Sequence, residues 1–151
     1  GMSESSTNKS GPGDASTGAP GTAANLPTAF ELIGGADGVK ALVTRFYDLM
    51  DLEPAYGHLR GLHGSTLDGA RQKLVLFLSG WLGGPDLYVQ QYGHPRLRAR
   101  HLPFPIGVRE RDDWLACMHQ AMDELRLAPD LRLRLDQAFA KTADWMRNQS
   151  G

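Results

Sequence analysis

An all-α fold is predicted by three features of this sequence. Apolar side chains recur at three- and four-residue spacing along four long runs, as they do on the buried face of a helix. No run alternates apolar and polar residues in the manner of a half-buried strand, and no Asn-Gly type hairpin turn is present. The connectors between the runs are short and contain Gly and Pro, which end helices without starting sheets. The 151 residues are enough for one domain with one sizeable core, and there are no internal repeats.

Taken in order, residues 1–26 are Gly, Ser, Thr, Ala, Asn and Pro with almost no large apolar side chain. Such a stretch buries too little surface to offset its ordering entropy, so it reads as a disordered tail, with Gly1 before Met2 a cloning remnant. The folded domain is expected over residues 27–149. Thr28 to Ile33 is predicted as a short helix ended by Gly34-Gly35. Val39, Leu42, Val43, Phe46, Tyr47, Leu49 and Met50 then predict a helix from Ala36 to Asp51. Pro54, Gly57, Gly61 and Gly64 break the chain from Glu53 to Gly64 into a short helix and a corner.

Ser65 or Thr66 is the expected N-cap of the next helix, with Asp68 in its first turn as in a capping box. That helix carries Leu67, Ala70, Leu74, Phe77, Leu78 and Trp81 on one face and stops at Gly83-Gly84-Pro85. The stretch from Tyr92 to Ile106 is basic and bounded by Pro95, Pro103 and Pro105, leaving room only for a helical turn from Arg96 to His101. Gly107 opens a helix to Leu127, with acidic residues near its positive end and Trp114, Met118, Ala121, Met122 and Leu125 on its apolar face. Pro129 starts a last helix to Asn148, showing Leu131, Leu135, Phe139, Thr142 and Trp145 or Met146 on one side.

Composition narrows the function. Sixteen basic and 17 acidic residues leave a net charge of −1, so nucleic acid has no electrostatic attraction to this chain. No apolar run approaches the ~20 residues that span a bilayer, and no basic-then-apolar leader opens the sequence. The single cysteine, Cys117, excludes an intramolecular disulfide and fits a reducing compartment, so a cytoplasmic protein is expected. HExxH, CxxC, GxSxG and Walker-type motifs are all missing.

Five histidines remain: His58, His63, His94, His101 and His119. One of them, His101, ends the proline-bounded turn, a setting built to hold an imidazole still. An all-α domain with such an imidazole and an apolar wall from Leu67 to Trp81 suits an iron porphyrin, which needs a neutral imidazole, a dry pocket and a few donors. On the residues alone, a haem-free helical interaction module is the stronger reading.

Four segments resemble the truncated haemoglobins of group II, short bacterial globins with a two-over-two helical sandwich around haem. They are Arg45-Phe46-Tyr47, the run from Phe77 through Ser79-Gly80-Trp81 to Pro85, the run from Tyr92-Gly93-His94-Pro95 through Arg100-His101 to Phe104, and Glu110-Arg111-Asp112-Asp113-Trp114-Leu115. The resemblance extends from Phe30 to Trp145. It implies haem b as cofactor, His101 as the iron's proximal ligand through the Arg-His-x-x-Phe pattern, and Phe104 as a cofactor contact. It reads His94 as structural. On the distal side it implies donors from Tyr47, Trp114 and the corner residue His63, with Ala70 standing where many globins have histidine and with Leu74 and Phe77 as apolar wall.

By position, Arg100 and Lys73 are the candidate partners of the haem propionates; Arg98 is read as solvated or paired with an acid. The function so implied is binding of dioxygen, nitric oxide, carbon monoxide or peroxide at a pentacoordinate iron, with redox turnover of nitric oxide or peroxide and an unidentified reductase. A simple reversible oxygen carrier or sensor is the alternative, and direct coordination of iron by Tyr47 or His63 is a further one. A monomer or a homodimer is compatible with the apolar faces.

Overall fold

A computed structural model describes residues 26–150, so the expected tail lies, but for Leu26, outside the described residues. Helix α1 spans Ala29–Ile33 and is started by a full capping box. The Glu31 N–H donates to Thr28 Oγ1 at 3.0 Å and the Thr28 N–H to Glu31 Oε1 at 2.8 Å. Gly34, at φ 108°, ends it in the left-handed conformation that L side chains resist, and α2 (Gly35–Leu52) starts on the next residue. The chain therefore folds back so tightly that a Cβ on Gly38 would lie 1.9 Å from the Ile33 carbonyl oxygen. All seven apolar residues expected on the inner face of α2 are buried.

After a 3-10 turn at Pro54–Tyr56 comes α3 (Gly57–Gly61). Helix α4 spans Asp68–Trp81, and here one expectation is corrected: neither Ser65 nor Thr66 caps it. Leu67 occupies the cap position with no side-chain hydrogen bond. The corner is held instead from the other side, because the Arg60 guanidinium donates to the carbonyls of Gly64 and Ser65 at 2.8 and 3.1 Å and to Asp51 at 2.9 Å. A six-residue helix α5 (Leu87–Tyr92) follows, too short for periodicity to have revealed.

The proline-bounded turn is α6, Leu97–His101, entered through Arg96 in the left-handed region at φ 48°. Helix α7 spans Val108–Leu125 and α8 spans Pro129–Trp145, with Pro129 in the first turn as expected. α8 stops before Asn148 because the Asn148 N–H leaves the helical ladder for the Ile106 carbonyl, at 2.8 Å.

Among the described residues the structure is helical, with no strand. The four long helices make two pairs: α2 with α4 and α7 with α8, joined through the contact of α2 on α7. This is the two-over-two arrangement. The core is built from Leu42, Phe46, Leu49, Met50, Leu78, Met118, Met122 and Leu135, each almost wholly buried. No described helix is long and apolar enough to cross a membrane. Short α3 packs on both α2 and α7, and residues of α3, α6 and the corner at 62–64 line a cavity between the helices.

The Gly38 crossing leads to a stability prediction. Gly38→Ala forces α1 off α2 and is expected to cost about 1–3 kcal/mol, measured as a lowered urea midpoint with an unchanged m-value.

Candidate functional site

The cavity has a volume of about 390 Å³, within the usual range for a small-molecule site. Its wall is mostly apolar: Leu59, Leu62, Leu74, Phe77, Leu78, Trp81, Ile106 and Phe139 all contribute. Phe104 lines it while remaining 44% exposed, so that part of the wall meets solvent. Of the residues named from sequence, Tyr47, His63, Leu74, Phe77, His101, Phe104 and Trp114 come together here. Ala70, Lys73 and Arg100 do not line it.

Ala70 packs partly buried against the core. The Lys73 ammonium sits 5.6 Å over the Tyr92 ring. Arg100 Nε donates to the Pro95 carbonyl at 2.9 Å, and its guanidinium lies 6.0 Å from the Tyr88 ring. Arg98 is exposed, as one of its two expected readings had it, and its Nη1 donates not to an acid but to the Trp145 and Arg147 carbonyls, both at 2.8 Å.

His101 is fixed through one nitrogen. Its Nδ1 lies 2.6 Å from the Leu97 carbonyl, which only accepts, so Nδ1 carries the hydrogen and Nε2 keeps its lone pair. Nε2 has no hydrogen-bonding partner among the described residues. The turn is pinned by groups that sequence reasoning missed. Asn148 Nδ2 donates to the carbonyls of His101 and Phe104 at 3.2 and 2.8 Å, while its Oδ1 accepts from the Ile106 N–H at 3.0 Å. These contacts span more than forty residues, and no local pattern could signal them. His94 is structural here, its Nδ1 accepting the Arg96 N–H at 3.0 Å.

Tyr47 and Trp114 bring donors to the same cavity. Tyr47 is buried, its ring packed edge-on against Phe46 at 4.9 Å and 6.0 Å from the His63 ring. Burial pushes its phenol well above the ordinary value, with the Arg71 guanidinium near its ring acting the other way. It therefore stays a protonated donor. Trp114 packs between Phe46 and Phe139, at 5.2 and 5.5 Å. Neither the Tyr47 hydroxyl nor the Trp114 indole N–H has a hydrogen-bonding partner among the described residues.

His63 is held as His101 is: its Nδ1 is 3.0 Å from the carbonyl of Leu59, four residues earlier. The neutral ring therefore presents Nε2 as an acceptor, and burial lowers its pKa, keeping it neutral. Glu110 was read only as helix-start charge, yet it also lines the cavity. Its carboxylate accepts the Gly107 N–H at 2.8 Å and contacts His58 Nε2 at 2.6 Å, tying α3 to α7.

The donor set fits a haem. A flat apolar macrocycle needs an apolar slot reaching solvent for its carboxylates and a nitrogen for its iron, and His101 Nε2 is a nitrogen without another partner in that slot.

Comparison with known proteins agrees with this geometry. Residues 28–148 match the family model for bacterial-like globins. The chain is 40% identical over 130 residues to the group 2 truncated hemoglobin YjbI of Bacillus subtilis, covering 86% of this chain and 94% of that one. Among solved structures, it is similar to the group II 2-on-2 hemoglobin of the plant pathogen Agrobacterium tumefaciens, at 42% identity and a TM-score of 0.81, covering 85% of this chain and all of that one. It is also similar to the truncated oxygen-avid haemoglobin of Bacillus subtilis, at 39% identity and a TM-score of 0.75, covering 81% and 100%.

The Glu110 bridge predicts a pH dependence. The Gly107 N–H first, and His58 second, hold the carboxyl below its usual range, so its pKa is lower folded than unfolded. The stabilisation is thus present above the unfolded value and lost as pH falls through the folded one. Urea unfolding between pH 7 and 3 should show that loss, and Glu110→Gln should flatten it.

Proposed function

The chain belongs to the group II truncated haemoglobins, whose cofactor is haem b, and on that premise we propose that it is a slow-releasing oxygen-binding haemoglobin with redox turnover of the bound ligand. Binding of a small gaseous ligand such as oxygen at haem is the family's activity. Haem b, when bound, would supply an iron able to bind a diatomic ligand. The chain's own residues do the rest. His101 would hold that iron through Nε2, its ring orientation set by the Leu97 carbonyl. Leu74 and Phe77 keep the ligand side dry, and Phe104 covers the exposed side of the slot. Arg100 and Lys73 remain the proposed propionate partners, Lys73 leaving the Tyr92 ring and Arg100 the Pro95 carbonyl and the Tyr88 ring.

The observation that carries the reading is the pair of unpartnered donors, Tyr47 O–H and Trp114 N–H, lining one apolar cavity. A buried Tyr or Trp ordinarily finds a partner for its polar hydrogen. A ligand that gains negative charge is such a partner, and donors in a dry pocket stabilise that charge more than water would. Two donors on one ligand slow its escape, which agrees with the oxygen-avid description of the Bacillus subtilis relative. A long-lived ligand favours reaction with nitric oxide or peroxide over simple delivery. A reversible carrier is the competing reading.

The purified protein should show a Soret band, and His101→Ala should lose bound haem. Unchanged haem content in that variant would remove His101 from the proximal role. Trp114→Phe and Tyr47→Phe should keep haem and each raise the oxygen dissociation rate by roughly tenfold, read by stopped-flow. Fast reversible release in the unmodified protein, with no oxidation by nitric oxide or peroxide, would favour the carrier.

A further inference from the structure

A line of aromatic rings runs from the cavity to the surface. Trp114, Phe139, Trp81 and Phe77 all line the cavity, and their rings meet in that order at 5.5, 4.9 and 6.2 Å. Phe77 then meets Tyr88 edge-on at 6.3 Å, and Tyr88 meets Tyr92 at 5.0 Å. Every separation falls within the ~4.5–7 Å of direct ring contact. Phe77 and Trp81 stand four residues apart on α4, and Tyr88 and Tyr92 four apart on α5, so each pair shares one helix face. Packing of α5 on α4 joins the two pairs. Core formation accounts for the five inner rings. It does not account for the sixth, because Tyr88 is 6% exposed while Tyr92 carries the line out of the core at 39%.

The rings differ in chemistry as well as in depth. Tryptophan and tyrosine give up one electron together with an N–H or O–H proton, whereas phenylalanine only bridges. A buried phenol such as Tyr88 has no bulk water to receive that proton. Tyr92 has, and its oxygen accepts from Gln91 Nε2 at 3.1 Å, leaving its own O–H to solvent.

We propose that Tyr92 is a second, surface site of oxidation, joined to the haem cavity by this line of rings, at which phenols and arylamines too large for the cavity are oxidised. The proposal rests on the haem and redox readings above and gives them an electron route and a donor class. Hydrogen peroxide in the cavity is the oxidant: its O–O bond takes up two electrons and two protons and leaves as two waters. Each electron comes from Tyr92, whose O–H bond breaks and releases its proton to solvent. A donor phenol then passes a hydrogen atom to the Tyr92 oxygen, restoring the tyrosine and leaving as a phenoxyl radical. Two donors are consumed per peroxide. Lys73 and Arg100 lie 5.6 and 6.0 Å over the Tyr92 and Tyr88 rings, and a cation there opposes loss of an electron. These are the two side chains proposed to turn to the propionates, so haem loading uncovers both rings.

The haem-loaded full chain is treated with hydrogen peroxide and a nitrone spin trap, and the trap adduct is located by mass spectrometry. It should sit on Tyr92, and the haem-free chain under the same treatment should carry none. Tyr88→Phe keeps the packing but removes the last buried redox-active ring, and should lower the Tyr92 adduct yield roughly tenfold. Oxidation of a phenol tethered to a polymer should fall roughly tenfold in Tyr92→Phe and stay within about threefold in Tyr92→Trp. The rate at which peroxide changes the Soret band should stay within about twofold in both. An unmarked Tyr92, an equal yield in Tyr88→Phe or in the haem-free chain, or undiminished oxidation of the tethered phenol in Tyr92→Phe overturns the proposal. A Soret band that ignores peroxide overturns the redox reading along with it, and a missing Soret band overturns the haem reading. Both are distinct from a responsive band with Tyr92 unmarked.

Discussion

The site depends on one local hydrogen bond, from His101 Nδ1 to the Leu97 carbonyl four residues before it. That carbonyl, inside α6, has a second lone pair that the imidazole uses. Pro95 limits the turn before it begins and Pro103 ends it just after, so α6 is five residues long and His101, at its end, folds back on the first of them. Its tautomer and its orientation are then settled before any ligand arrives, and Nε2 is left facing a site that needs a nitrogen. The distant Asn148 completes the arrangement by fastening the carbonyls and N–H just beyond the turn, where three residues lack helical partners.

His63 repeats the device with a different outcome. It too donates Nδ1–H to the carbonyl four residues earlier, at the end of a five-residue helix. Both imidazoles therefore present an Nε2 lone pair to the same cavity. What separates them is their surroundings: His63 stands beside the buried Tyr47 ring on an apolar corner, whereas His101 stands in a basic turn at the solvent side. One repeated backbone geometry thus fixes the tautomer of both rings. Tyr47 and Trp114, each held by packing on Phe46, add two donors to that pocket.

Much of this was legible in the chain itself. The long helices follow from apolar spacing, and α2 buries all seven residues that its period selects. The α6 turn follows from three prolines. Less legible were the features that arise where distant segments meet. The start of α4 illustrates this: Ser65 and Thr66 look like caps locally, but Arg60 from the preceding helix holds the corner and moves the start to Asp68. Helix α5 escaped because six residues are under two turns and show no period. Glu110 and Arg111 near the start of α7 reach the cavity, and Asn148 reaches the α6 turn, only through neighbours far away in the chain.

The sequence by itself determined the helical class, the residue types of the pocket and the imidazole on its rigid turn, because periodicity and proline act over a few neighbouring residues. Tertiary structure alone decided which of those side chains share one cavity and what each can do there. Lys73 and Arg100 carry the right charge yet rest on the rings of Tyr92 and Tyr88, outside the wall. His63 has the right chemistry for a donor yet is made an acceptor by the Leu59 carbonyl. Charge and residue type are properties of a position in the chain, whereas hydrogen-bond polarity and access depend on the groups that folding places beside it.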